Sequence, residues 1–160
     1  MTNRTYTQGN KMNKNNFAEE YRIYKGIVER FDAADLADDE EQKDIWIDQM
    51  HAFKDEILKK GQSYYQMFER YKKARNCGNE HIDFSENIWD GKVETLINTL
   101  RNFGIEHFTF SSGWSSAVKT AWLFKENGCE LEDLVMIATD YKEPFSDEYE
   151  MVPAYLFKVN

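Results

Sequence analysis

From Phe17 onward the apolar side chains Phe17, Tyr21, Tyr24, Val28 and Phe31 recur at steps of three and four residues, and after Gly104 that spacing gives way to short alternating runs. A period near 3.6 predicts helices with one buried stripe, whereas a period near two predicts strands. The change of period divides the chain into a helical front and a sheeted back, an α+β organisation.

The helical pattern continues through Trp46, Met50, Phe53 and Ile57. Asp38 or Asp39 is placed to cap this second helix, with Glu40 and Glu41 at its positive end and Gly61 as its stop. A third helix carries Tyr64, Met67, Phe68 and Tyr71, with Ser63 and Gln66 as a capping box. The stretch HIDFSENIWDG reads as an ordered connection with a packed Trp89. Beyond it Val93, Leu96, Ile97, Leu100 and Phe103 mark a fourth helix that ends at Gly104. IEHFTF reads as a strand, SSGWSS as a turn, and the following segment as a helix with Val118 and Trp122 inward. LEDLVMIATDY and MVPAYLFKV form a hairpin around the acidic loop KEPFSDEYE. Pro153 lacks an N–H and places the last strand at an edge or a bulge. A right-handed parallel crossover is expected between the first two strands. The expected organisation is a flexible arm over 1–15, about three helices over 16–78 and an α-β-α-β-β module over 79–160 with a small three-stranded mixed sheet. The whole is short enough to be one compact domain.

The net charge of −9 is uneven. Residues 31–60 hold ten acidic against four basic side chains, and residues 105–160 repeat that count, while residues 1–30 are net positive. Such acid disfavours a phosphate backbone and favours a basic protein groove, so the expected partner is a protein rather than nucleic acid. No apolar run approaches the roughly 18 residues of a membrane span. Cys77 and Cys129 are an unpatterned pair, so the expected setting is the cytoplasm, with free thiols and neither metal nor cofactor.

Several segments carry possible chemistry. Ser111, Ser112 and Ser115 surround Gly113 at a strand-to-helix turn, where hydroxyls and amides suit an anion or a helix cap. Gly113 to Ala117 approximates a nucleophile elbow, yet His51, His81 and His107 all precede the serine, against the chain order of that triad. Asp140-Tyr141-Lys142 resembles the end of a metal-dependent nuclease motif but lacks a partner acid on an adjacent strand. Cys77-x₃-His81 has metal-like spacing without a second pair. The run from Asp32 to Asp48 holds eight carboxylates in seventeen residues, a face that could imitate a phosphate backbone.

FTFSSGWSS with the helix after it, then DYK and PAYLF, resembles a small uncharacterised module of phage and conjugative-element proteins, over about residues 105–159. In size and acidity the chain is similar to anti-CRISPR and other anti-defence proteins. The resemblance implies a non-enzymatic accessory protein of the bacterial cytoplasm that binds a host effector nuclease. Its expected contact residues are Asp38, Asp39, Glu40, Glu41, Trp114, Asp140, Tyr141, Glu143, Asp147 and Glu148. A metal-dependent nuclease or other hydrolase centred on Ser115 or on Asp140 and Lys142, and a homodimer formed through an uncovered sheet face, are the alternatives.

Overall fold

The computed structural model describes residues 14–160, so the expected arm lies outside the described residues up to position 13. Two compact units form, Asn16–Glu69 and Arg70–Asn160, the latter with the segment ending at Asn15. The division between them falls at 69/70, within a helix, nine residues before the boundary read from sequence at 78/79. No described helix is long and apolar enough to cross a membrane.

The first unit contains α1 (Phe17–Leu36), α2 (Glu40–Leu58) and the start of α3 (Gln62–Asn76). Asp39 caps α2, accepting from the Gln42 N–H at 3.1 Å. Gly61 makes the α2–α3 turn at φ +112°, where a side chain would be strained. The α2 stripe lies as the periodicity predicts, but α1 turns slightly: Phe17, Glu20, Ile27 and Ala34 are its buried positions. The cause is Glu20, whose carboxylate is held by the Tyr64 hydroxyl and by Lys60 Nζ at 2.9 Å. Around it Phe17 meets Tyr64 at 4.9 Å between ring centroids, and Phe53 meets Phe68 edge-on at 5.8 Å.

The second unit contains the end of α3, β1 (Ile82–Phe84), α4 (Asp90–Asn102), β2 (His107–Phe110), α5 (Ala117–Glu126), β3 (Cys129–Lys142) and β4 (Tyr149–Val159). The sheet is mixed, as expected, and has four strands in the order β1-β2-β4-β3. The additional strand is β1, three residues inside the stretch read as a connection and too short to show a period. It pairs in parallel with β2, so the crossover helix between parallel neighbours is α4 rather than α5. β4 pairs antiparallel with both β2 and β3 and therefore lies inside the sheet, not at its edge. Pro153 is tolerated because β2 pairs with β4 only from Tyr155 to Lys158, leaving the proline with a neighbour on one side.

Register places Ile82, Phe84, Phe108, Phe110, Tyr155 and Phe157 on one face of the sheet. Phe124 of α5 packs there, with its centroid 5.1 Å from those of Phe108 and Phe110 and 5.3 Å from that of Phe157. Val93, Ile97 and Leu100 of α4 are buried as predicted. Val118 and Trp122, expected inward, are exposed, because Thr120 and Phe124 form the inner side of α5. Trp89, expected to be packed, is also exposed. The opposite face is not left open. The last turns of α3 lie against it, with Ala74 and Ile137 buried. The Asn79 side chain then bonds both backbone groups of Ala138 on β3, donating to its carbonyl at 2.7 Å and accepting from its N–H at 2.9 Å.

Candidate functional site

Two of the sequence candidates for binding meet near the end of the sheet where β2 runs out. Ser111, just past β2, and Asp140, near the end of β3, line one recess of about 110 Å³ with Arg70, Lys73, Cys77 and Asp83. Trp114 follows in the turn beyond Ser111. The centre of the recess is Asp83, which the sequence reading passed over because it lies inside the unrecognised β1.

Asp83 is paired in register with Thr109. Both of its oxygens are taken, by the Thr109 hydroxyl at 2.7 Å and the Ser111 hydroxyl at 2.6 Å. Burial pushes its pKa above the ordinary aspartate value, against the two hydroxyl bonds that pull it down. The cations beside it are neutralised. Arg70 forms a forked pair with Glu86 and also bonds the Asp83 carbonyl, while Lys73 lies 3.3 Å from Asp140. Burial first, and Asp140 second, raise the pKa of the Cys77 thiol, which disfavours the reactive thiolate.

The arrangement latches β1, β2 and α3 together and offers little for catalysis. A nucleophile needs a nearby base, and Ser115 lies beyond the end of β2 whereas His107 begins that strand. The anion-binding reading of the serine turn is not supported either. Ser111 donates to a carboxylate, the Ser112 hydroxyl accepts from the Trp114 N–H at 3.3 Å, and neighbouring Ser116 bonds Asn87 at 2.7 Å. Ser116 makes no side-chain cap to α5, so the turn is held by cross-links rather than by capping. Among the described residues no three of His, Cys, Asp and Glu converge on a metal position. The His81 and His107 rings do lie close, tilted with centroids 5.5 Å apart, and His107 Nε2 is 3.3 Å from Glu132. Burial lowers the His81 pKa and pushes that of Cys129 up to about 11.

Asp83 supplies a sign-specific prediction. Because its pKa is raised in the folded chain, its contribution to stability is present below the ordinary aspartate value of about 3.9 and is lost as pH rises through the folded value. Asp83→Asn keeps the shape and removes the buried charge. Urea unfolding should find the variant more stable than the parent at neutral pH, with the advantage shrinking as pH falls through the raised folded value and gone once pH is below about 4.

The remaining contact candidates fall in two places. Asp38, Asp39, Glu40 and Glu41 are exposed at the α1–α2 junction in the first unit. There Asp39 serves as the cap, and Lys43 bonds Asp35 at 2.9 Å and Glu40 at 3.3 Å. Asp140, Tyr141, Glu143, Asp147 and Glu148 are exposed on the β3–β4 hairpin. Lys142 folds over the Tyr149 ring at 4.5 Å, away from any nuclease-like role.

Sequence reasoning missed the tip of that hairpin. The Ser146 N–H bonds the Glu143 carbonyl at 3.0 Å, closing a turn with Pro144 and Phe145 at its centre. Phe145 takes φ +66°, and its side chain is wholly exposed. The third position of such a turn favours glycine, and left-handed backbone costs other residues about 1–2 kcal/mol. Phe145→Gly should therefore leave the free energy of unfolding unchanged or raise it by about 1 kcal/mol, measured by urea unfolding.

A family profile described as Domain of unknown function (DUF7698) matches residues 66–159. It spans nearly the whole sheet unit and begins within α3. No curated protein and no solved structure matches the chain.

Proposed function

Since the chain belongs to the DUF7698 family, whose matched region is essentially the sheet unit, we propose that this unit is a protein-binding module whose β3–β4 hairpin is the contact element. The protein is then a non-enzymatic mobile-element accessory of the anti-CRISPR type, active in the bacterial cytoplasm. Its hairpin enters a basic nucleic-acid cleft of a host effector nuclease.

The observation that carries this reading is Phe145, a wholly exposed aromatic in a strained turn among Glu143, Asp147 and Glu148. Neither its exposure nor its backbone benefits the fold. Register shows how the tip is presented: β3 and β4 pair as far as Lys142 and Tyr149, whereas β2 stops opposite Tyr155. The hairpin thus runs about 20 Å past the end of β2. Acid around an aromatic tip suits a basic groove, with charge guiding encounter and the ring supplying the anchor. Tyr141 and Asp140 extend the same surface. At its base Asp140 lies 3.3 Å from Lys73 of α3.

The test is size exclusion of the full chain with purified CRISPR effector nucleases, followed by DNA binding and cleavage. A stable, salt-sensitive complex that blocks cleavage is expected. Glu143→Lys, Asp147→Lys and Glu148→Lys together should slow association at least about tenfold without lowering thermal stability. Phe145→Gly should weaken binding while preserving the fold. No complex with any effector, or full binding by both variants, would defeat the proposal.

A further inference from the structure

Three of the four tryptophans face solvent on the sheet unit, and two of them lie on one stripe. Trp114, Val118 and Trp122 are 60%, 73% and 55% exposed, at intervals of four residues through α5 and the turn leading into it. That turn already winds toward α5, since the Ala117 N–H bonds the Trp114 carbonyl at 3.0 Å. The inner side of the helix is occupied by Thr120 and Phe124, so the tryptophan stripe contributes nothing to the core. Trp89, 73% exposed, borders the same helix. Its neighbours are tied to α5 by Asn87 to Ser116 at 2.7 Å and Asp90 to Lys119 at 2.6 Å.

We propose that the exposed Trp114–Val118–Trp122 face of α5 is a homodimer interface, in which α5 of a second copy packs antiparallel about a two-fold axis through Val118. The stripe is its own complement. A large side chain lies about 6 Å to either side of a small one, so reversing the helix returns the same pattern. Antiparallel packing places Trp114 against Trp122 of the second copy, and Trp122 against its Trp114. The two Val118 side chains meet on the axis, where their small size lets the helices approach. Such a contact is isologous and closes on itself as a dimer.

The area is of the right order. At these exposures Trp114, Val118 and Trp122 present about 350 Å², a little under half of the roughly 800 Å² that each partner gives to a standard interface. β3 adds to it. Leu134 and Met136 pair in register with Tyr155 and Pro153, which puts them on the face of the sheet that carries α5, and both are exposed. Lys119 and Asp90, beside the stripe, are already paired to each other within one protomer, and the exposed Lys125 and Glu126 follow Trp122 at the end of α5. The hairpin tip lies outside this interface, so the dimer leaves Phe145 exposed and stands or falls independently of the proposed function.

Sedimentation equilibrium of the full chain tests the proposal, with twice the 19.0 kDa protomer mass as the expected result. Val118→Arg puts two like charges on the axis and should give a monomer with unchanged circular dichroism. In a Cys77→Ser background, Val118→Cys should cross-link under mild oxidation. The facing Cα atoms lie about 4–5 Å apart if helix axes are about 9 Å apart, within disulfide reach. Glu126→Cys, about 24 Å from its mate in the same geometry, should not cross-link. A monomeric parent chain, a Val118→Arg variant that still dimerises, or Glu126→Cys cross-linking as readily as Val118→Cys would each overturn the assignment.

Discussion

Replacing Phe124 by alanine is expected to destabilise the sheet unit by about 3–5 kcal/mol, measured as a lowered urea midpoint with near-ultraviolet circular dichroism as the probe. The ring is fully buried and touches Phe108, Phe110 and Phe157 with centroids 5.1–5.3 Å away. Those three rings come from β2 and β4, which are distant in sequence, so Phe124 joins α5 to the central strand pair. Its removal leaves a cavity walled by three rigid rings that cannot collapse into it. Against a typical total of about 5–15 kcal/mol, that loss brings the unit close to its unfolding limit. A loss below about 1 kcal/mol would mean that the aromatic cluster is not the centre of the core.

The second large effect is expected at Tyr64→Phe, in the helical unit. The Tyr64 hydroxyl donates to the buried Glu20 carboxylate and accepts from the Asn16 N–H at 3.0 Å. Removing one oxygen breaks both bonds, leaving only Lys60 to bond Glu20 among its named partners. Bonds to a buried charge are worth more than neutral ones, so a cost of about 2–3 kcal/mol is expected. Burial and the Glu20 bond both raise the Tyr64 pKa, so its contribution is whole below about pH 10 and is lost only as pH rises through the folded value. Tyr64→Phe combined with Glu20→Gln should cost less than the two single variants added together, and strict additivity would sink the idea of a coupled pair.

The helical stripes at Trp46 to Ile57, the cap at Asp39, the stop at Gly61 and the final hairpin were legible in the sequence because each is local. A period, a capping side chain or a glycine at positive φ is written within a few residues. What was hidden depends on contacts distant in sequence. β1 has three residues, fewer than any period can reveal, and it exists because β2 offers it a parallel edge. β4 lies inside the sheet because it pairs on both sides, which its own residues do not announce. Trp122 and Val118 were placed inward from their apolarity, while the core was filled by Phe124 and Thr120. At the candidate site, the serine turn was conspicuous for composition, but Asp83 uses one of its hydroxyls. Phe145 was overlooked because an aromatic among acids looks like ordinary loop until its backbone angle is known.

The bond pair between Asn79 and Ala138 also bears on how this chain behaves when crowded. β3 is long and forms the outer strand of the sheet, and Leu131, Leu134 and Met136 make it adhesive. An outer strand of that kind is a template on which further chains can add, one strand at a time, into aggregates. The Asn79 amide imitates the strand that would otherwise arrive, and occupies both backbone groups of Ala138. Nearer the start of β3, the Asp133 carboxylate takes the Leu134 N–H at 2.8 Å, beside a break in register at Glu132. One side chain from a loop and one from the strand itself thus deny the edge to strangers, and keep an apolar sheet from growing beyond a single molecule.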